Sequence, residues 1–106
     1  MTKKEMKALT PKEIEWWQMA ANLQRKNNEM LTNVYRELAD FIKPYQYPNG
    51  LLRDECFELD GYKRLSKKVD DTRTKVKMVQ TMLFGKRIGS GINTIHQLAN
   101  YGIITL

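Results

Sequence analysis

Two residue types that act together in nucleophilic catalysis, cysteine and histidine, occur once each in the chain of 106 residues. Cys56 and His96 could pair as nucleophile and base, but no glycine-rich turn accompanies Cys56, which precedes Phe57 and is predicted to be a buried thiol. His96 is predicted to be exposed on a terminal helix. One cysteine and one histidine provide neither a zinc site of four ligands nor a disulfide framework. We therefore expect no catalysis here and a reducing, cytoplasmic location.

Carboxylates cluster before a predicted helix, in a spacing superficially like that of metal-dependent nucleases. The cluster comprises Asp54, Glu55, Glu58 and Asp60, followed by Lys63. Nuclease chemistry needs carboxylates held around Mg²⁺ on a rigid scaffold, and no strand pattern occurs here. Acidic residues that precede a helix are favourable with its dipole. We therefore predict no catalytic residue, no bound metal and no cofactor, and we do not expect an enzyme.

Basic residues outnumber acidic ones, with 18 Lys and Arg against 12 Asp and Glu, so the net charge is +6. Residues 61–87 contain nine basic and two acidic residues. Five of these cations have no obvious acidic neighbour and are the predicted nucleic-acid-binding residues: Lys67, Lys68, Lys77, Lys86 and Arg87. A basic helix of this density can follow the phosphates of DNA or RNA. The alternative is a solvated, partly paired face. Its predicted pairs are Arg73 and Lys75 with Glu29, and Lys63 and Arg64 with Asp40.

Three aromatic side chains are predicted to contact a partner protein: Trp16, Tyr45 and Tyr47. Trp16 and Trp17 are adjacent and cannot share a helix face, so one ring is predicted to be buried and the other partly exposed. An exposed aromatic ring can stack a base or anchor a protein contact. The alternative is that the tryptophans close the end of the core near Phe84 and that the tyrosines close the end of a helical bundle.

Residues 91–98, with the sequence GINTIHQL, resemble a short phrase of small helical DNA-binding folds. Similar phrases occur in helix-hairpin-helix modules and in the C-terminal domain of the bacterial RNA polymerase alpha subunit. In those folds a glycine turn and a capping threonine open a short helix close to DNA. The resemblance carries over no functional residue, and it favours the nucleic-acid interpretation.

The elements that must position these residues are helices. Thr10-Pro11-Lys12-Glu13 is a capping box with proline at the first helical position, and no glycine or proline follows before Pro44. The residue before a proline avoids the helical conformation, so this first long helix is predicted to end near Ile42 or Lys43. Its apolar stripe is interrupted by a polar layer at Asn27.

The second long helix has the most regular pattern in the chain. Apolar residues and one threonine recur at spacings of three and four: Tyr62, Leu65, Val69, Thr72, Val76, Val79 and Leu83. This is an a/d seam, and Gly85 follows it where a left-handed cap is expected. Residues 43–50 are rich in turn formers, so the two helices are predicted to form an antiparallel hairpin. The predicted register pairs Phe41 with Tyr62, Leu38 with Leu65, Val34 with Val69 and Leu23 with Val79.

The other segments connect or extend this hairpin. Residues 1–9 are predicted to be a flexible basic arm and residues 10–106 a single helical domain. For residues 51–60 three possibilities remain open: the start of the next helix, a short separate helix, or an extended segment. Residues 88–91 are predicted to be a hinge, and the apolar tail at residues 103–106 is expected to fold back or to enter a partner. No stretch has the length and apolar character of a spanning helix or a signal peptide.

The predicted fold is all-α: a long, coiled-coil-like antiparallel helical hairpin with a short C-terminal helix. A hairpin of this size buries a limited core, so a homodimer is predicted. The predicted function is non-enzymatic binding of nucleic acid, DNA or RNA, through the basic helix at residues 61–87. The alternative is a regulator or inhibitor, for example a small phage or mobile-element effector, that acts on a host protein through a helical surface. A third possibility is an architectural coiled-coil subunit.

Overall fold

The computed structural model describes residues 1–106 and is 78% helical, with no strand. Its four α-helices and two 3₁₀ turns are α1 (Lys3–Lys7), α2 (Pro11–Ile42), a turn at Lys43–Tyr45, a turn at Asp54–Glu58, α3 (Asp60–Phe84) and α4 (Ile88–Asn100). The all-α class and the helical hairpin, formed by α2 and α3, are confirmed. None of these helices combines the length and the apolar character that crossing a membrane requires.

Helix α2 begins and ends where the sequence predicts. The Glu13 N–H donates to Thr10 Oγ1 at 3.2 Å, and the Thr10 N–H donates to Glu13 Oε1 at 3.1 Å, which is a reciprocal capping box. Hydrogen bonds from the Thr10 backbone and side chain lower the pKa of Glu13. The stability that this carboxylate contributes is therefore present above its ordinary pKa and is lost as the pH falls through the lowered value. At its other end α2 stops at Ile42, before Pro44.

The flexible arm predicted for residues 1–9 is instead a short helix with a buried anchor. Thr2 and Glu5 form a second capping box, with hydrogen bonds of 3.2 Å and 3.3 Å. Met6 is only 4% exposed and belongs to the hydrophobic core, and its burial offsets the entropy lost when the segment is ordered. The spacing of Thr2 and Glu5 repeats that of Thr10 and Glu13, so the sequence contained this signal.

Contacts within the chain divide it into two compact units. The middle unit comprises residues 28–76, and the terminal unit comprises residues 1–27 together with residues 77–106. The single domain predicted for residues 10–106 stays a prediction, because a domain in that sense is defined by one cooperative unfolding transition.

The middle unit contains the end of α2 packed on the first part of α3. The Phe41 ring lies on Gly61, where a Cβ atom would be 2.6 Å from the ring, and Lys68 Nζ donates to Glu37 Oε2 at 2.9 Å. This register agrees with the prediction, which placed Phe41 opposite the adjacent Tyr62. The buried side chains of the seam are Val34, Leu65, Val69 and Val76. The seam therefore fixes which residues of the two helices are neighbours.

The connector between α2 and α3 is mostly irregular. Gln46 and Leu52 form an isolated antiparallel bridge around a turn in which Gly50 has a φ of +87°, a conformation that favours glycine. The segment left open by the sequence, residues 51–60, is thus extended at first and then forms the 3₁₀ turn at Asp54–Glu58. Cys56 in this turn is fully buried, as predicted.

The terminal unit has its own hydrophobic core, to which α1, α2, α4 and the C-terminal tail contribute. Its buried members are Met6, Ala20, Ala21, Ile95, Leu98 and Ile104. Here α2 and α3 also meet through a polar pair, since Gln80 Nε2 donates to Gln24 Oε1 at 3.2 Å. Leu23 and Val79, which were predicted to face each other in a buried seam, are only half-buried. The amide pair lies at the contact of α2 and α3 where the prediction placed those two apolar residues.

The apolar tail folds back onto this core. Helix α4 ends in a Schellman cap, in which Ile103 N–H donates to the Leu98 carbonyl and Gly102 N–H to the Ala99 carbonyl, both at 3.0 Å. Gly102 adopts the left-handed φ of +72° that this cap requires. Beyond it, Gln18 exchanges hydrogen bonds of 2.8 Å and 2.9 Å with the backbone of Thr105. The tail therefore folds back, which is one of the two arrangements expected for it, and the homodimer stays a prediction.

The hinge predicted at residues 88–91 is wrong, because these residues form the first turn of α4. Gly91 is buried, and a Cβ atom there would overlap the ring of Phe84. The glycine therefore permits a close approach between α4 and Phe84 and does not provide flexibility. A sequence pattern cannot separate these two uses of glycine, since the difference depends on a residue in another element.

Val76→Asp should lower the free energy of unfolding by more than about 2 kcal/mol, because it places an unpaired charge at a buried position. Val76 is only 5% exposed, whereas Met78 in the same helix is 61% exposed. Met78→Asp therefore serves as the matched control and should have little effect. Urea denaturation of both variants checks this, and equal midpoints would contradict the buried seam.

Gly91→Ala should destabilise the protein by about 1–3 kcal/mol, because the added methyl group must displace Phe84. Gly89→Ala is the control, since a Cβ atom at Gly89 meets nothing within 4 Å. That variant should be neutral or stabilised by up to about 1 kcal/mol, because glycine is unfavourable in a helix. Thermal unfolding followed by circular dichroism measures both, and a neutral Gly91→Ala would restore the hinge interpretation.

Candidate nucleic-acid interface

The net positive charge of the protein belongs to the terminal unit. The middle unit contains nine basic and nine acidic residues, whereas the terminal unit contains nine basic and three acidic residues. By sequence alone, the excess of basic residues lies in residues 61–87, most of which form α3. Folding instead groups the first part of α3 with Glu29, Glu37 and Asp40 of α2 and with the acidic residues of the connector, so that the middle unit is formally neutral. No acidic side chain occurs after Asp71.

Two of the five predicted nucleic-acid-binding residues, Lys67 and Lys68, lie in the neutral middle unit. Lys68 was predicted to lack an acidic partner, and this is wrong, because it forms an ion pair with Glu37 at 2.9 Å. Lys67 is exposed and takes part in none of the ion pairs. An exposed ion pair contributes only about 0–1 kcal/mol, but a phosphate would have to compete with Glu37 for Lys68.

The other three predicted residues, Lys77, Lys86 and Arg87, lie in the terminal unit, where they are exposed and form no ion pair. Lys86 and Arg87 follow Gly85, whose left-handed φ of +60° ends α3. Arg87 is also the N-cap residue of α4, and no side chain caps the N–H groups of that first turn. Positively charged side chains next to the N–H groups of a helix's first turn favour the binding of an anion.

The ion pairs that were predicted for a partly paired basic face are not formed. Neither the pairs of Arg73 and Lys75 with Glu29 nor those of Lys63 and Arg64 with Asp40 occur as ion pairs. The ion pairs present are Lys68 with Glu37 at 2.9 Å, and Lys63 with Glu58 and Arg53 with Glu55 at 3.9 Å each. Two acidic residues of the connector, Glu55 and Glu58, thus lie close to basic residues of their own unit.

One tryptophan is partly exposed, as predicted, but the other is half-buried and not buried. Trp16 is 39% exposed, and its ring lies nearly perpendicular to those of Trp17 and Phe84, at centroid distances of 4.9 Å and 6.1 Å. Trp17 stacks on Phe84 at 6.2 Å and packs against the hydrophobic core. Both rings therefore close the end of the core near Phe84, and Trp16 also retains accessible surface.

The two connector tyrosines lie in the middle unit, apart in the chain from Trp16. Tyr45 is half-buried, with its ring 6.0 Å from that of Phe41. Tyr47 is 48% exposed, and the Arg53 guanidinium lies 5.3 Å from its ring centroid. Tyr45 therefore contributes to packing at the end of the hairpin, and one face of Tyr47 is covered by a cation from its own unit.

The sequence reasoning missed a second stripe on α2, which runs through Lys12, Trp16, Met19, Leu23 and Lys26 at spacings of four, three, four and three. We name these five residues the α2 stripe. Met19 is 43% exposed, and it borders a shallow depression of about 680 Å³ together with Leu23 and Lys26. The heptad spacing was available in the sequence, but Leu23 had been assigned to the buried seam.

The single histidine and the single cysteine have the exposure that the sequence predicts. His96 is exposed on α4, and Cys56 is buried in the middle unit. No three His, Cys, Asp or Glu side chains are grouped so that they could hold a metal ion. The chain matches no protein-family model, no curated protein and no solved structure.

Proposed function

We propose that the terminal unit binds nucleic acid through its phosphates, with Lys77, Lys86 and Arg87 as the principal cations, and that the protein acts without catalysis. The observation that supports this proposal most is the separation of charge between the two units. Ordinary protein surfaces intersperse both signs, and a region of one sign attracts and steers ligands of the opposite sign. Nine cations against three acidic residues make the terminal unit such a region.

Each of these cations would neutralise a phosphate and release the counterions condensed on it. Lys86 and Arg87 are adjacent at the turn that leads into α4, so a phosphate near them would also meet the N–H groups of the first turn of that helix. Contacts to phosphates position a protein on a duplex and carry no information about the bases. Binding is therefore expected to be weakly sequence-specific and strongly dependent on salt.

Lys67 and Lys68 are expected to contribute little to phosphate binding. Their unit is neutral, and Lys68 already has Glu37 as its partner. Removing these two charges changes the net charge of the protein as much as removing Lys86 and Arg87 does. Comparing a variant at Lys67 and Lys68 with a variant at Lys86 and Arg87 therefore distinguishes a local phosphate site from a general effect of net charge.

Lys86→Gln/Arg87→Gln should weaken binding to duplex DNA of random sequence at low salt. It should also make the plot of log K against log salt shallower by about 2, since each phosphate contact contributes about 0.9 to the slope. Lys67→Gln/Lys68→Gln, with the same loss of charge, should leave both quantities nearly unchanged. Fluorescence anisotropy with a labelled duplex at several salt concentrations measures them.

Two results would contradict the proposal. If both double variants lost affinity equally, net charge and not the terminal unit would govern binding. If the unaltered protein did not bind duplex DNA or RNA even at low salt, the cations of the terminal unit would be a solvated surface.

A further inference from the structure

The α2 stripe is an apolar seam with a cation at each end. Trp16 and Met19 are 39% and 43% exposed, and Leu23 is half-buried. The adjoining face of the same helix is already used by the core, where Ala20 and Ala21 are fully buried. A helix of a small protein ordinarily shows one apolar stripe and one polar face. A second stripe at heptad spacing, left accessible, is the pattern of a surface that packs against another helix.

We propose that the α2 stripe binds an amphipathic helix of a partner protein whose apolar seam is flanked by acidic residues. Spacings of four and three residues suit the packing of one helix against another, because side chains at such positions insert between those of the partner. Lys12 and Lys26 at the two ends would pair with acidic residues of the partner. Glu15, which lines the same depression, lies three residues from Lys12 and would repel acidic residues at that end, so the partner's acidic residues are expected mainly opposite Lys26.

A second copy of this chain fits the stripe poorly. Antiparallel pairing of two α2 stripes about Met19 would place Lys12 of one copy opposite Lys26 of the other. Parallel pairing would place each lysine opposite its own equivalent. Like charges would oppose one another in both arrangements, and this disfavours self-association at this surface. The charge complement of the stripe is an acidic helix.

A nucleic-acid base stacked on Trp16 is the other occupant to consider. Base stacking needs one aromatic ring and nearby cations, and it gives no role to Met19 and Leu23 at heptad spacing. The ring of Trp16 is also engaged by Trp17 and Phe84 through edge contacts. The observations therefore favour a protein helix. This inference does not depend on the proposed function, since Lys77, Lys86 and Arg87 lie outside the stripe.

The test uses the full chain and a synthetic peptide of about three heptads, with Leu at positions a and d and Glu at e and g, which repel in a self-pair. Titration followed by tryptophan fluorescence should give saturable binding, and a peptide with Lys in place of Glu should not bind. Met19→Glu should weaken the affinity for the acidic peptide about tenfold or more. Met82→Glu, the same substitution at an 84% exposed position of α3 outside the stripe, should leave the affinity unchanged.

Three outcomes would overturn the inference. The first is that the acidic peptide does not bind, and the second is that Met19→Glu and Met82→Glu have equal effects. The third is that single-stranded oligothymidylate quenches tryptophan emission and loses affinity in Met19→Glu, which would make the stripe a nucleic-acid surface. If circular dichroism shows Met19→Glu to be unfolded, Lys26→Glu replaces it, and this variant should bind the acidic peptide less tightly than the unaltered protein does. Lys86→Gln/Arg87→Gln should bind the acidic peptide unchanged, which separates this inference from the proposed function.

Discussion

The register in which α2 packs against α3 is the constraint on which the other features of the protein depend. In the middle unit it is fixed by shape, because Phe41 occupies the space that only a glycine at position 61 leaves open, and by the burial of the valine and leucine seam. A shift by one residue would turn that seam toward the solvent and bring a side chain against Phe41. The hydrophobic contribution of each buried side chain is about 1.5–3 kcal/mol, which is far more than the exposed ion pairs of the same helices contribute.

This register also decides where the charge lies. The first part of α3 is strongly basic, but it packs in the same unit as Glu37 and the acidic connector, and that unit is neutral. No acidic residue follows Asp71, so the end of α3 and the start of α4 contribute positive charge alone to the terminal unit. The separation is thus a product of the tertiary arrangement. It places Lys77, Lys86 and Arg87, the proposed phosphate-binding cations, in a unit of net positive charge.

The sequence was sufficient for features that arise from local chemistry. The capping box at Thr10, the proline at position 44 and the alternating spacing from Tyr62 to Leu83 predicted both long helices and their register. Features that depend on distant residues were beyond it. Gly91 has the sequence pattern of a hinge, but in the structure Phe84 packs against it, and Lys68 was predicted to lack an acidic partner, but Glu37 lies beside it. Of the five predicted nucleic-acid-binding residues, three remain in a basic unit, because the boundary between the units falls within α3.

The central claim is that attraction for nucleic acid belongs to the terminal unit. Amide chemical shifts of the isotope-labelled protein, recorded by NMR while random-sequence duplex DNA is added at low salt, test it residue by residue. If the claim holds, shifts change at Lys77 and at residues 84–91, where the turn and the start of α4 lie, and the shifts of residues 62–71 stay unchanged. Changes concentrated at residues 62–71, around Lys67 and Lys68, would contradict it.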